Sequence, residues 1–158
     1  MYEESFRTPL IIRYPKAIEA GTKTDALVQN IDFAPTYLSL AGIEKPAEMS
    51  GVSLESLFSG ETPKDWRKDL YYHYYDYPAI HNVRRHDGIR TGRYKFIHFY
   101  GKGETRNDED IDCNELFDLK NDPHELHNLY GKKGYEKISR ELQATLDNYR
   151  KKLKVDEF

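Results

Sequence analysis

The densest group of side chains that could do chemistry lies between residues 71 and 100. This stretch holds nine of the chain's 21 aromatic residues and four of its six histidines, so ring faces and hydrogen-bond donors are concentrated there. Aromatic planes stack on sugar rings, and forked arginine donors bind sulfate, phosphate or carboxylate. The composition therefore predicts a site for a sugar or a polyanion. The histidines and arginines of the stretch are His73, His81, His86, His98, Arg84, Arg85, Arg90 and Arg93.

A structural interpretation of the same residues competes with the ligand site. Tyr94, Phe96 and His98 alternate along the chain, which is typical of a strand with one face packed under a helix. For these residues the pattern favours packing over binding. The sequence YPAIHNVRRHDGIR at 77–90 is less regular, and loops carry binding sites more often than strands do. In this loop both interpretations stay open.

Acidic residues near the middle of the chain do not complete a calcium motif. Asp108, Asp110 and Asp112 alternate, but an EF-hand loop also needs glycine at its sixth position and glutamate at its twelfth. Those positions hold Cys113 and Leu119, so the pattern favours a solvated acidic loop. The acidic neighbours of Cys113 should raise the pKa of its thiol and reduce its reactivity.

The sequence His124-Glu125-Leu126-His127 does not fit a zinc helix either. Its histidines are three residues apart, whereas the zinc-protease pattern places them four apart on one helix face. Asp122 followed by Pro123 is instead typical of the first residues of a helix. We therefore predict a helix start here and no metal site.

Composition excludes several classes of protein. The 158 residues include 24 Lys and Arg against 27 Asp and Glu, a net charge of −3, which argues against non-specific binding to nucleic acid. No apolar run approaches the roughly 18 residues that cross a bilayer, so no membrane association is predicted. The single cysteine excludes an internal disulfide and a site with several thiolates.

The second half of the chain has the pattern of an α+β fold. Strand-like segments at 69–75, 86–91, 93–100 and 114–119 predict a small antiparallel sheet of about four strands. A helix over 134–152 should pack on this sheet, because its apolar residues recur at helical spacing. These residues are Ile138, Leu142, Leu146, Tyr149 and Leu153.

The first part of the chain predicts one strand and one helix that belong to something larger. Leu10–Ile12 is a short apolar run typical of a strand buried on both faces, and residues 30–42 indicate a helix that ends near Gly42. We predict that 1–66 is the C-terminal edge of an α/β domain and 67–158 a separate subdomain. A strand without neighbours should leave an exposed apolar patch and lead to self-association.

Four features, in order along nearly the whole chain, carry a family resemblance. The sequence YEESFRTPLIIRYP (2–15) resembles a strand of the type I sulfatases, the alkaline-phosphatase-like arylsulfatase family. NIDFAPTYLSLAGI (30–43) and GVSLESLFSGE (51–61) resemble the next helix and segment of that family. GIRTGRYKFIHFY (88–100) with ELFDLKNDPHELHNL (115–129) resembles its closing sheet and turn. These motifs are similar to those of bacterial sulfatases that act on sulfated glycans.

The resemblance implies hydrolysis of a sulfate ester by a longer parent enzyme. The nucleophile of that family is a formylglycine made from Cys or Ser in a C/S-x-P-x-R motif, which Cys113 and the residues after it do not match. The family's calcium aspartates belong to its N-terminal part, and its sulfate-contacting lysine should lie just before Met1. The resemblance thus implies no catalytic residue, no metal ligand and no cofactor in this chain, which should be inactive alone. Export to the periplasm or the medium is implied by the family only.

By the same resemblance, the chain's share of the reaction is substrate recognition. His81 and Arg90 come first, because the H-x-V spacing followed by I-R resembles a loop of heparan-type sulfatases, and Arg84 and His86 come next. The expected partner is a sulfated carbohydrate. The alternative is a non-catalytic glycan-binding or assembly module, against which a doubly buried strand near residue 10 would argue.

Overall fold

The computed structural model describes residues 1–78, 80–103 and 109–155. They form two compact units, one of Pro9–Lys68 and one of Met1–Thr8 together with the chain from Asp69 onward. We refer to these as the smaller and the larger unit. The assignment of 1–66 to the edge of a catalytic domain and of 67–158 to a subdomain stays a prediction, because compactness does not show where either part belongs.

The larger unit is built on one four-stranded antiparallel sheet. The strand order is β1-β2-β3-β4, with each strand next to its neighbours in sequence. A long helix, α3, follows the sheet, and a short helix, α1, precedes it. The bounds are α1 Glu3–Phe6, β1 Asp69–Tyr74, β2 His86–Thr91, β3 Tyr94–Gly101, β4 Ile111–Asp118 and α3 Glu136–Leu153. The predicted α+β fold is confirmed.

One face of the sheet packs against α3. Ile89, Phe96 and Leu116 from three strands form a fully buried core with Leu142 and Leu146 of the helix. This is the predicted helical stripe, which also includes the partly buried Ile138 and Tyr149. Only its last member, Leu153, is exposed.

The opposite face of the sheet is covered by the first residues of the chain. Met1 packs in a second buried cluster with Ile97 and Phe117, and Phe6 of α1 meets the ring of Tyr72 edge to face at 5.2 Å. Gly88 of β2 lies beneath Met1, where an added Cβ would stand 2.7 Å from the methionine sulfur and 2.3 Å from the carbonyl oxygen of Phe96. The close approach of Met1 to β2 thus depends on a position without a side chain.

The smaller unit is organised around a buried carboxylate. A 3₁₀ turn at Asn30–Asp32 leads into helix α2, Phe33–Leu40. Asp32 is 0% exposed and forms a bidentate pair with Arg67, with oxygen–nitrogen distances of 2.8 and 2.7 Å. Its carboxylate also accepts the backbone N–H groups of Gln29 and Val52. The charge is therefore fully compensated inside the unit.

A small apolar cluster completes this unit. Leu54 and Leu57 lie in a second 3₁₀ turn, Leu54–Leu57, and pack with Phe58 and Trp66. The indole N–H of Trp66 donates to the carbonyl oxygen of Leu27 at 2.9 Å. The one tryptophan of the chain therefore lies in the core of the smaller unit.

The predicted strand at Leu10–Ile12 is wrong. The segment forms no strand, and Ile11 is 90% exposed. A strand needs a neighbour to pair with its backbone groups, and the described residues Pro9–Lys68 contain no strand at all. The prediction that Leu10–Ile12 is buried on both faces is wrong for the same reason.

The helix predicted over 30–42 is confirmed as α2. Of the apolar side chains at this helix, Ile31, Tyr37 and Leu40 are exposed. The buried side carries Pro35 and Thr36, because the Thr36 hydroxyl bridges the Asp32 carbonyl oxygen and the N–H of Leu54. Leu10, Ile12, Phe33, Tyr37 and Leu40 line an open cavity of about 330 Å³.

The helix predicted to start at Asp122 does not form. The Asp122 carboxylate accepts the N–H groups of Leu126 and His127, as a capping residue would. Glu125, however, has φ 54°, a left-handed conformation that stops a right-handed helix. The next helix is α3.

Candidate functional site

The loop between β1 and β2 carries two of the four predicted binding residues. His81 is exposed in a turn, and Arg84 is half-buried, with its guanidinium 5.0 Å from the centre of the Tyr77 ring. Arg84 also donates to the carbonyl oxygen of Glu109 at 2.7 Å. Arg85 donates to the carbonyl oxygens of Tyr75 and Tyr77. Arginine side chains therefore hold a loop that presents guanidinium groups and an imidazole above the buried ring of Tyr77.

The other two predicted residues lie on β2, on the face covered by α1. His86 is buried, packs against Tyr74 and Phe99, and contacts the carbonyl oxygen of Arg84 at 2.8 Å through Nδ1. Burial lowers the pKa of His86 below its usual value. Arg90 donates to the carboxylate of Glu3 at 3.3 Å.

The structure does not bring the four predicted residues into one site. His81 and Arg84 lie on the loop, whereas His86 and Arg90 make contacts inside the fold. Their role in substrate binding stays a prediction. The loop pair has the exposure that a ligand requires.

A buried ionic cluster on the same sheet face was not predicted. The ammonium of Lys95, which is 0% exposed, lies 2.9 Å from Glu3 and 2.7 Å from Glu125 and donates to the carbonyl oxygen of Met1 at 2.6 Å. The sequence signal for this cluster lies in the β3 residues that alternate with Tyr94, Phe96 and His98. Lys95 shares its strand face with Ile97 and Phe99, and a lysine on the same face as two apolar residues needs acidic partners if that face is buried.

A second unpredicted cluster joins the sheet to α3. Asp87 is buried and receives two hydrogen bonds of 2.7 Å from Arg150. His98 accepts from Arg150 at Nδ1, 2.6 Å away, and its Nε2 donates to Asp112 at 2.9 Å. Burial alone would raise the pKa of Asp87, but the neighbouring His98 and Arg150 outweigh it and hold that pKa below the usual value. The cluster therefore keeps a negative charge inside the fold.

The remaining candidates from the sequence have no catalytic environment in the structure. Cys113 is exposed on β4, and partial burial with the charges of Glu115 and Asp112 raises the pKa of its thiol, as predicted. Asp108 lies outside the described residues. Within the described ranges, no group of three or more His, Cys, Asp or Glu side chains is placed to hold a metal ion. None of the described helices has the length and apolar character that a membrane crossing requires.

Comparison with known proteins identifies the family. The family model for the C-terminal region of N-sulphoglucosamine sulphohydrolase matches residues 1–152. The chain belongs to this family, which agrees with the resemblance carried by its motifs.

Particular relatives extend the match. The chain is 51% identical over 156 residues to an N-acetylglucosamine-6-O-sulfatase of Bacteroides thetaiotaomicron, which covers 98% of this chain and 26% of the relative. It is 32% identical to a Delta 4,5-hexuronate-2-O-sulfatase of the same species, over 98% of this chain and 31% of that protein. A solved structure in complex with D-glucosamine-2-N,6-O-disulfate superposes with a TM-score of 0.89 and 50% identity, over 99% of this chain and 31% of that one. The chain thus spans about a quarter to a third of the length of these relatives.

Proposed function

We propose that this chain is the C-terminal, substrate-recognising part of a sulfatase that hydrolyses sulfuric esters of sulfated glycans. The observation that supports it best is the match to the N-acetylglucosamine-6-O-sulfatase, 51% identical over 98% of this chain. The superposition on a structure that binds a sulfated glucosamine supports the same conclusion. Sulfated glucosamine is therefore the proposed substrate class.

The loop between β1 and β2 supplies the proposed contacts to the sulfated sugar. A sulfate group offers several oxygen acceptors, and a guanidinium donates to two of them at once, while an imidazole donates to one. His81, which is exposed, and Arg84, which is half-buried, carry such donors in this loop. The Tyr77 ring beneath Arg84 holds the guanidinium by a cation–π contact.

The chemical step is proposed to depend on residues outside this chain. The formylglycine and the calcium ion implied for the longer parent have no fitting donor set here, since Cys113 lacks the motif and the described acidic residues form no metal-binding group. The chain alone should therefore not turn over a sulfate ester. Its contribution is the wall of the pocket that selects the sugar.

A chimeric enzyme tests this function. This chain replaces the matching C-terminal portion of the Bacteroides N-acetylglucosamine-6-O-sulfatase, and hydrolysis of N-acetylglucosamine-6-O-sulfate is measured for the chimera and for the chain alone. We expect turnover by the chimera only. His81→Ala and Arg84→Ala should each raise KM by about tenfold, because each removes a charged or polar hydrogen bond to sulfate.

Matched controls separate recognition from general damage. His124→Ala and Arg140→Ala remove an exposed histidine and an exposed arginine far from the loop in sequence, and should leave KM unchanged. An inactive chimera beside an active parent enzyme would refute the proposal. If the chain alone then bound the sulfated sugar, the alternative of a non-catalytic glycan-binding module would replace it.

A further inference from the structure

Lys95 is the most completely enclosed charge on the sheet face that α1 covers. Its ammonium donates to the carbonyl oxygen of Met1 and forms ion pairs with the carboxylates of Glu3 and Glu125. A buried ammonium is strongly destabilising unless its charge is paired. The position of these three oxygens is therefore a condition for Lys95 to remain buried.

Every charged or hydrogen-bonding partner of Lys95 named above either belongs to the first residues of the chain or contacts them. Met1 and Glu3 belong to that segment, and Glu125 reaches into it by accepting the backbone N–H of Glu3. Arg90 adds a second cation on the Glu3 carboxylate. We call these four side chains, Lys95, Glu3, Arg90 and Glu125, the Lys95 cluster.

Glu125 takes part at a conformational cost. Its φ of 54° lies in the left-handed region, which a residue with a side chain rarely adopts. The same conformation ends the helix that Asp122 would otherwise start, and it accompanies a buried Glu125 carboxylate. The backbone of Glu125 thus adopts an unfavourable conformation at the place where the cluster forms.

Helix α1 cannot hold its own position. It has four residues, far fewer than an isolated helix needs in water, so its place on the sheet depends on tertiary contacts. Those contacts are the Lys95 cluster and the packing of Met1 and Phe6.

The relatives indicate what this segment connects to. The N-acetylglucosamine-6-O-sulfatase matches this chain over only 26% of its length, and the matching family model is that of a C-terminal region. In such a protein the residues that match Met1–Thr8 follow directly on the rest of the enzyme. We propose that the Lys95 cluster consists of positioning residues, which fix this segment on the sheet and thereby fix the polypeptide that enters it. The inference rests on the proposed sulfatase function.

Hydrogen exchange in the full 158-residue chain tests whether the cluster holds the segment. Lys95→Met removes the charge at similar length, so the amides of Glu3, Ser5, Phe6 and Arg7 should exchange at least about tenfold faster, while α3 amides keep their protection. Lys95→Arg should restore part of the protection. Arg93→Met, which breaks the neighbouring Arg93–Asp118 pair, should leave the α1 amides unchanged.

A milder variant covers the case in which Lys95→Met does not fold. Glu125→Gln keeps the shape of the side chain and removes one charge, and it should also speed exchange of the Glu3 amide. Unchanged exchange of the α1 amides in a folded Lys95→Met or Glu125→Gln variant would overturn the proposal.

The chimeric sulfatase tests the positioning role. Lys95→Met should lower kcat by about a hundredfold with little change in KM, because a displaced segment disturbs the geometry of the reacting groups rather than the sugar contacts. Lys95→Arg should recover part of kcat. An active chimera whose kcat is insensitive to Lys95→Met refutes the positioning role alone, whereas an inactive unsubstituted chimera refutes the proposed function and this inference with it.

Discussion

The two units of the chain differ in how much of their apolar surface is covered. In the larger unit both faces of the sheet are covered by apolar clusters, and its buried charges meet oppositely charged partners. In the smaller unit a small apolar cluster and the carboxylate of Asp32 are buried, while the apolar side chains of Leu10–Ile12 and of one face of α2 are exposed. The stability of the first unit should therefore come from its own core, whereas the second has an apolar surface of the kind that binds a partner.

The largest expected effect is in the core of the larger unit. Phe96→Ala should lower the free energy of unfolding by about 4 kcal/mol, because it removes a fully buried ring between the sheet and α3. Guanidinium unfolding followed by far-ultraviolet circular dichroism measures this change. Tyr37→Ala, at an exposed aromatic residue of the smaller unit, should cost less than about 0.5 kcal/mol. Equal losses of unfolding free energy for Phe96→Ala and Tyr37→Ala would contradict the contrast between the units.

A smaller effect is expected at the polar centre of the smaller unit. Asp32→Ala leaves Arg67 without its partner and should lower the free energy of unfolding of this unit by about 3 kcal/mol. Trp66 fluorescence reports this loss, since it is the chain's one tryptophan and packs in this unit. Asp25→Ala, at an exposed aspartate of the same unit, is the matched control. A fluorescence transition that Asp32→Ala does not move would show that the apolar cluster alone stabilises the unit.

The smallest effect on stability is expected at Ile11. Ile11→Asp should change the free energy of unfolding by less than about 0.5 kcal/mol, because the side chain is 90% exposed. The unsubstituted chain should self-associate through this apolar surface as its concentration rises, and the substitution should reduce that association. Light scattering over a concentration series measures both. A monomer at high concentration of the unsubstituted chain would contradict the prediction.

The larger unit could be predicted from the sequence because its pattern is local. Strand alternation and the 3.6-residue spacing of Leu142, Leu146 and Tyr149 depend only on neighbours in the chain, and all four strands and α3 form where expected to within a few residues. The burial of the apolar side of α3 against the sheet follows from the same rule, because helical spacing places these residues on one side of the helix.

The errors arise where tertiary context decides the local structure. The turn at Glu125 is accompanied by contacts with Lys95 and Glu3, both distant in the sequence, and Leu10–Ile12 has no strand to pair with among the described residues Pro9–Lys68. Propensity favoured a strand at Leu10–Ile12 and a helix after Asp122, and tertiary context overrode both. Of the candidate site, the sequence predicted the residue types of the loop at 77–90, but His86 and Arg90 were not distinguishable there from residues with structural roles.

Gly88 places a limit on how this chain can vary. Every nucleotide change that replaces glycine by another amino acid adds at least a Cβ, and at this position that atom would collide with the carbonyl oxygen of Phe96 and the sulfur of Met1. A substitution at residue 88 could persist only together with a shift of β3 near Phe96 and of the first residues that cross the sheet. A mutation at this one codon is therefore coupled to a neighbouring strand and to a segment 80 or more residues away in the chain.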